Sequence, residues 1–403
     1  MPYLEESRRS YYGWVIVGVV FLAELLAFGL AFAFGVFFKP LVFEFNWSRA
    51  ATAGAFSIYA IVHDIFAPVA GKITDRFGPR VVAAVGGFCI GLAMLLMSRT
   101  STIWQLYFFY GFVFALGVAS IYSPLMATVS RWFTEKRGLA VGVGAAGLGA
   151  GSLVFSPLAA WLISSYGWRI AYIVVGVICW VLFIPVARFV KQAPKRSIEV
   201  EVEGKSTKDF TAAQALKTRA FWMISLAWLF AAIADWAIMI NIVPLLTDRG
   251  IPLVTAGIVA GVIGGTSIAS RIGGGFLSDR IGRKRCFLCS VVVQLIGVFL
   301  LLFCRELWMF FLFAIIFGLG VGGWAGVVPS FIVDFFGSKA TATILGLTVV
   351  FAGIGTALGP FAGGRIFDVT GSYYYMVWMC IIASALGVFF ASLIKAPVEQ
   401  QKA

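Results

Sequence analysis

GKITDRFGPR, from Gly71 to Arg80, returns 204 residues later as GFLSDRIGRKR, from Gly275 to Arg285. Gly71, Asp75, Arg76 and Gly78 of the first copy fall on Gly275, Asp279, Arg280 and Gly282 of the second, and Arg80 closes the first copy as Arg285 closes the second. Pro157 and Pro360 repeat at an offset of 203. A single D-R-x-G is an ordinary charged turn. Two in register, each directly after a long apolar run, mark a duplicated unit.

The rest of the chain fits that duplication. Its 403 residues are 61% hydrophobic and only 12% charged, against about 45–50% apolar and about 25% charged in an ordinary soluble domain. So few charges cannot clothe a water-exposed surface, which excludes a soluble enzyme, a disordered protein and a secreted disulfide scaffold. Runs of about 20 apolar residues predict twelve spans, near 13–37, 51–71, 81–98, 104–129, 138–164, 169–190, 221–247, 253–278, 286–304, 307–332, 341–366 and 373–394. The fold expected is an all-α integral membrane protein. Residues 1–190 form one six-helix bundle and 220–403 a second, joined by a polar linker over 191–219. The first apolar run is too long for a cleavable signal peptide and is followed by many more.

Of the 31 lysines and arginines, seven (Lys39, Arg49, Arg99, Arg169, Arg249, Arg305 and Arg365) fall in loops on one side. Arg271 lies within a span and the remaining 23 fall on the other side. The positive-inside rule then puts both termini and the linker in the cytoplasm of a multi-pass protein of the cell (inner) membrane. That topology accounts for the net charge of +13 without a nucleic-acid partner. The six cysteines read as small core residues; Cys286 and Cys289 form a C-x-x-C with no second pair, and the single histidine, His63, is far away, so no metal is expected.

G-x-x-x-D-R-x-G at both inner loops of a six-plus-six chain resembles the major facilitator superfamily. The small glycine suits close packing of the helix end. The aspartate suits pairing with a nearby arginine or a helix N-terminus. A second stretch, WFTEKRGLAVGVGAAG over 132–147, is similar to the monocarboxylate transporters and the related oxalate/formate antiporters. Tyr12-Gly13-Trp14 keeps only part of the monocarboxylate signature of the first span, lacking its acidic residue. The resemblance implies alternating access by two rocking bundles around a midplane site.

A charged side chain in hydrocarbon is costly unless paired or hydrated, so ionisable residues inside spans point to function. They are Glu24, His63, Asp64, Asp235 and Arg271. Arg271 lies eight residues before Asp279, so at about 1.5 Å per residue it sits roughly 12 Å into the membrane. Its repeat partner is Ala67, as a ligand site would have it and a shared packing device would not. An arginine in the eighth span resembles the substrate-carboxylate arginine of both related families, and its planar fork suits a carboxylate. The aspartate that monocarboxylate carriers place one turn earlier is here Ser267, and no first-span lysine matches except Lys39 at the outer mouth. Asp235 and Glu24, both near midplane depth, are therefore the proton-coupling candidates. A fixed ion pair with Arg271 is the competing role for each. His63 and Asp64 point about 100° apart on a helix and are expected not to make a dyad by themselves; His63 is expected to satisfy a local hydrogen bond, with titration near neutrality as the alternative, and Asp64 to be a pairing partner near the inner gate. Tyr122 and Trp324, set among small residues in spans four and ten, and Phe28 and Phe351 are the candidate cavity walls, with core packing as the alternative.

The function expected is secondary active transport of a small organic monocarboxylate anion of the lactate or pyruvate type, by proton symport. An oxalate/formate-type anion exchanger is the alternative within the class; a channel or a non-transporting sensor stands outside it, although termini of about ten residues beyond the outermost spans leave a sensor little room for a signalling domain. No G-x-x-x-x-G-K-[ST], H-E-x-x-H or G-x-S-x-G is present, so no nucleotide, no enzyme chemistry and no cofactor is expected. The partners expected are the anion, the proton and the lipid bilayer.

Overall fold

A computed structural model describes residues 2–133, 137–191, 210–336 and 341–395. Most of the expected linker lies outside these residues, as do 134–136 of the second motif and the side-chain surroundings of Gly275 and Asp279. Twelve helices are long and apolar enough to cross a membrane. They are α1 (Pro2–Phe45), α2 (Arg49–Phe77), α3 (Pro79–Met97), α4 (Ile103–Trp132), α5 (Arg137–Tyr166), α6 (Trp168–Phe189), α7 (Arg219–Asp248), α8 (Leu253–Ile281), α9 (Arg283–Leu301), α10 (Leu307–Phe336), α11 (Thr341–Thr370) and α12 (Tyr374–Ser392). No strand occurs among the described residues. Backbone groups in lipid must be satisfied within the segment, which leaves the helix as the natural spanning element for so apolar a chain.

The helix ends follow local chemistry. Ser48 caps α2, its hydroxyl accepting from the Ala51 amide at 3.1 Å, and Thr218 caps α7 through the Phe221 amide at 3.2 Å. The repeated motif ends α2 and α8 at glycines with left-handed backbone, φ 84° at Gly78 and 90° at Gly282. Only glycine adopts that turn without steric cost, and Pro79 then starts α3 with its missing N–H where no bond is needed.

The two sets of six helices meet along α5 and α8, α2 and α11, and α1 and α7. Lipid is as apolar as leucine, so this contact relies on close approach rather than on a hydrophobic drive. A Cβ added at Gly264 of α8 would lie 2.6 Å from the Gly149 carbonyl of α5. An even number of spans puts both termini at one face, here the terminal face; loops 46–48, 249–252 and 371–373 lie at the opposite, far face.

α4 differs from its expected form. After one α-helical turn it runs as a π-helix over Tyr107–Phe114, returns to α-helix over Ala115–Ala119, breaks at Ser120–Ile121 and restarts as Tyr122–Trp132. π-segments with i→i+5 bonds are rare and cluster at functional sites.

Candidate functional site

Arg271, on the terminal half of α8, forms no hydrogen bond or ion pair among the described residues, and its Nε is buried without a partner. The groups whose electrostatics reach it are Tyr122 of α4, Asp235 of α7 and Glu24 of α1. Glu24 is fully buried and neither carboxyl oxygen has a partner; Asp235 is 6% exposed and its Oδ1 has none. One cation thus lies within electrostatic reach of two carboxyl groups without direct pairing. The fixed ion pair considered for Arg271 is absent.

Tyr122 opens the terminal half of α4. Its helix start at Ile121 has no side-chain cap, and in the middle of a membrane such unpaired amides are tolerated where they line a polar cavity. Tyr122 is 37% exposed, whereas Phe28, packed edge-on to it at 5.6 Å, is nearly covered. Glu24, Phe28 and Phe32 follow one another at four-residue spacing on one face of α1. Phe32 stacks on Trp236 of α7 at 5.3 Å, and Trp236 packs on Phe56 of α2 at 5.2 Å. This aromatic layer lies between Glu24 and the far face. Sequence reasoning missed Phe32, Phe56 and Trp236 because aromatics are 16% of the chain; the spacing from Glu24 was the usable signal.

His63 and Asp64 correct an expectation. Their Cβ atoms diverge, yet rotation about the side-chain bonds brings His63 Nδ1 to 2.9 Å from Asp64 Oδ1, so the neighbours do make a pair. Trp324 is 4% exposed; its indole N–H donates to Gln294 Oε1 at 2.7 Å, and Gln294 donates to the Ala231 carbonyl at 3.0 Å. That chain ties α10 to α9 and α7, so Trp324 serves packing between helices, the alternative weighed for it. Phe351 packs against Phe221 and Trp222 at the terminal end of α7, and no contact joins it to Arg271. Of the expected residues, the fold brings together Arg271, Tyr122, Phe28, Asp235 and Glu24.

In the motif, Asp75 accepts from Arg131 of α4 at 3.1 Å, as the pairing expectation had it, and the Arg76 guanidinium lies over the Phe77 ring. Gly71 faces open space rather than a packed neighbour, so close packing is not what this glycine serves. Arg280 is engaged in its own surroundings.

The far face holds a cluster that joins the two halves. Asp248 of α7 accepts from Lys39 at 2.8 Å and from Arg49 at 2.6 Å. Arg49 also donates to the Tyr373 hydroxyl at 2.8 Å and lies over the Phe367 ring. Asp368 of α11 receives the Arg49 and Ala50 amides, each at 2.8 Å, capping α2 across the divide. Burial raises the Tyr373 hydroxyl above its ordinary value, which keeps it neutral beside Arg49. Among the described residues no group of three histidine, cysteine or acidic side chains could hold a metal.

The sequence pattern of the Major Facilitator Superfamily matches residues 20–277 and 230–403. Monocarboxylate transporter 13 of Rattus norvegicus is 28% identical over 375 residues, covering 93% of this chain and 86% of that protein. The Oxalate:formate antiporter of Oxalobacter formigenes is 29% identical over 417 residues, covering 96% and 93%. Among solved structures, a bacterial homologue of the human lysosomal transporter Spinster, crystallised inward-facing and unoccupied, superposes with a TM-score of 0.73 at 15% identity over 94% of this chain and 97% of that one.

Proposed function

The chain belongs to the Major Facilitator Superfamily, and from that premise we propose that this membrane transporter carries small organic monocarboxylates together with a proton, by alternating access. The observation that carries the reading is the unpaired Arg271, within electrostatic reach of two buried carboxyl groups. A lone guanidinium in a low-dielectric chamber needs an anion, and its fork matches a carboxylate. The Tyr122 hydroxyl and the uncapped start of its half-helix add donors beside that position. Phe28 supplies an apolar wall for the short carbon chain. Asp235, with Glu24 in reserve, takes the proton. A neutral acid leaves Arg271 to the substrate, and its ionised form competes for the same guanidinium.

In this reading the terminal face is cytoplasmic, as the lysine and arginine distribution implies, and the far face is sealed by the Asp248 cluster and the Trp236 layer. Rocking of spans 1–6 against spans 7–12 opens the far face and closes the other. The resemblance to the monocarboxylate transporters over nearly the whole chain supports the substrate class. The test is uptake of labelled lactate and pyruvate into proteoliposomes under an imposed inward proton gradient, with counterflow as the check for a carrier. Gradient-driven accumulation and counterflow are expected; flux without counterflow would mean a channel, and accumulation indifferent to the proton gradient would remove the symport.

A further inference from the structure

His63 of α2 is a polar group for which carboxylate binding and proton coupling find no use. Its Nδ1 is held by Asp64 Oδ1 at 2.9 Å. An ionised carboxylate can only accept, so the bond puts the hydrogen on Nδ1 and leaves Nε2 as the free end of the ring. That Nε2 is buried and has no hydrogen-bond partner. A histidine serving packing alone would satisfy both nitrogens or leave one in water, because an unmet buried polar atom costs about 1–3 kcal/mol. Nε2 is therefore free to meet a bound molecule.

The position of the ring suggests what that molecule is. Phe28 packs edge-on to His63 at 6.3 Å and edge-on to Tyr122 at 5.6 Å, so α1 presents one ring between the histidine of α2 and the tyrosine of α4. Tyr122 is in turn the aromatic whose hydroxyl feels Arg271. Tyr59, one turn away on α2, lies against the imidazole at 5.9 Å and is itself buried. The ring is thus clamped between two aromatics and an aspartate. The second oxygen of Asp64 abuts Gly353 of α11 where any larger residue would collide with it, so the pair sits on the seam between the halves.

We propose that His63, positioned by Asp64, is the specificity residue that accepts a hydrogen bond from the hydroxyl on carbon 2 of a 2-hydroxy acid. This rests on the carboxylate being received by Arg271 and Tyr122, which points the remainder of a small acid along Phe28. Nε2 accepts from a hydroxyl, whereas a keto oxygen, itself only an acceptor, gains nothing from it. A monocarboxylate without that hydroxyl leaves Nε2 unsatisfied on closure and is transported less well.

The experiment compares counterflow of labelled lactate and propionate in proteoliposomes for the wild type, His63→Phe, His63→Gln, Asp64→Ala, Asp64→Asn and Arg271→Ala. The wild type is expected to prefer lactate to propionate by about tenfold, near the value of one good hydrogen bond. His63→Phe brings that ratio close to one while propionate transport stays within about twofold. Asp64→Ala does the same by releasing the ring. Asp64→Asn, whose amide oxygen still accepts from Nδ1, and His63→Gln, which keeps a polar end, retain part of the preference. No lactate preference in the wild type, an unchanged ratio in His63→Phe, or equal falls for lactate and propionate would each overturn the assignment. Arg271→Ala separates the two readings. Normal propionate transport in that variant would remove the carboxylate site itself, whereas its loss beside an unchanged ratio in His63→Phe would remove only the role of His63.

Discussion

The two faces of the molecule use their charges differently. At the far face, Lys39 and Arg49 from the first six spans meet Asp248, Asp368 and Tyr373 from the last six, across 199 to 324 residues of sequence. At the terminal face, the described ion pairs stay within one half: Asp75 with Arg131, and Arg283 with Asp334. The side chains of Lys39, Arg49 and Asp248 are 10–24% exposed, whereas Asp75 is 61% exposed; the other described far-face pair, Arg169 with Glu44, stays within the first half and is 37–47% exposed. One set of charges closes the molecule and the other stiffens each half. A rocking body requires that division, with rigid units on one side and a breakable tie on the other.

The largest expected effect lies between the faces. If Arg271 receives the substrate, Arg271→Ala abolishes uptake, by a hundredfold or more in initial rate, on the order of 3 kcal/mol of binding lost at the reacting cation. Arg271→Lys keeps the charge but loses the fork and falls nearly as far. Both variants are expected to insert and purify normally, because no ion pair is broken among the described residues. Normal specific activity in a poorly expressed variant would turn Arg271 into a structural residue and leave the two faces with no site to connect.

Next in size is Asp235→Asn. A fixed amide can neither take up nor release a proton, so gradient-driven accumulation is lost while lactate exchange survives. Glu24→Gln is the comparison variant, since Glu24 is equally unpaired. Accumulation ratios under an imposed pH gradient, against exchange at equal pH, measure the split. Unchanged accumulation in both would detach proton movement from the opening of either face.

A smaller effect separates monoanions from dianions. α11 has no basic residue between Thr341 and Arg365, so Arg271 alone answers the anion, and Lys39 is committed to Asp248. A second carboxylate would be left unpaired in the chamber, at a cost that makes oxalate about tenfold or more weaker than lactate in competition for labelled lactate. Equal displacement by oxalate would favour an anion exchanger and would free Lys39 from a purely closing role.

Much of this was legible in sequence because lipid is a strict solvent. Length and apolarity fix a span, so twelve helices and their repeat could be read from composition and from the two glycine-aspartate-arginine motifs. Arg271 stood out because a charge in hydrocarbon needs a reason. The break in α4 was hidden, since Ser120-Ile121 followed by Pro124 is compatible with an intact span in which the helix only bends. Trp324 and Phe351 could not be sorted into wall or core from their small neighbours, because which face of a uniformly apolar helix looks inward has no signature in its period. The His63–Asp64 bond depends on rotamers, which no spacing records. The far-face cluster joins residues too distant in sequence for any local pattern.

The smallest effect bears most directly on the contrast between the faces. Asp248→Asn leaves Lys39 and Arg49 facing each other without their shared carboxylate, at side-chain exposures of 17% and 10%. Partly buried cations that lose a partner destabilise more than surface ones, so a loss of about 1–3 kcal/mol in thermal unfolding in detergent is expected. Asp75→Asn removes an exposed pair and falls in the range of about 0–1 kcal/mol. If the two halves rock as proposed, the far-face variant also shifts the population toward the state open at that face, because opening it would break the tie. Raising the salt concentration should therefore narrow the gap between Asp75→Asn and the wild type but leave most of the Asp248→Asn deficit in place, since buried pairs are screened less. Equal losses for the two variants, or a deficit at Asp248 that salt erases, would show that the far-face cluster is ordinary surface charge, and the tie would then have to be sought in the aromatic layer around Trp236.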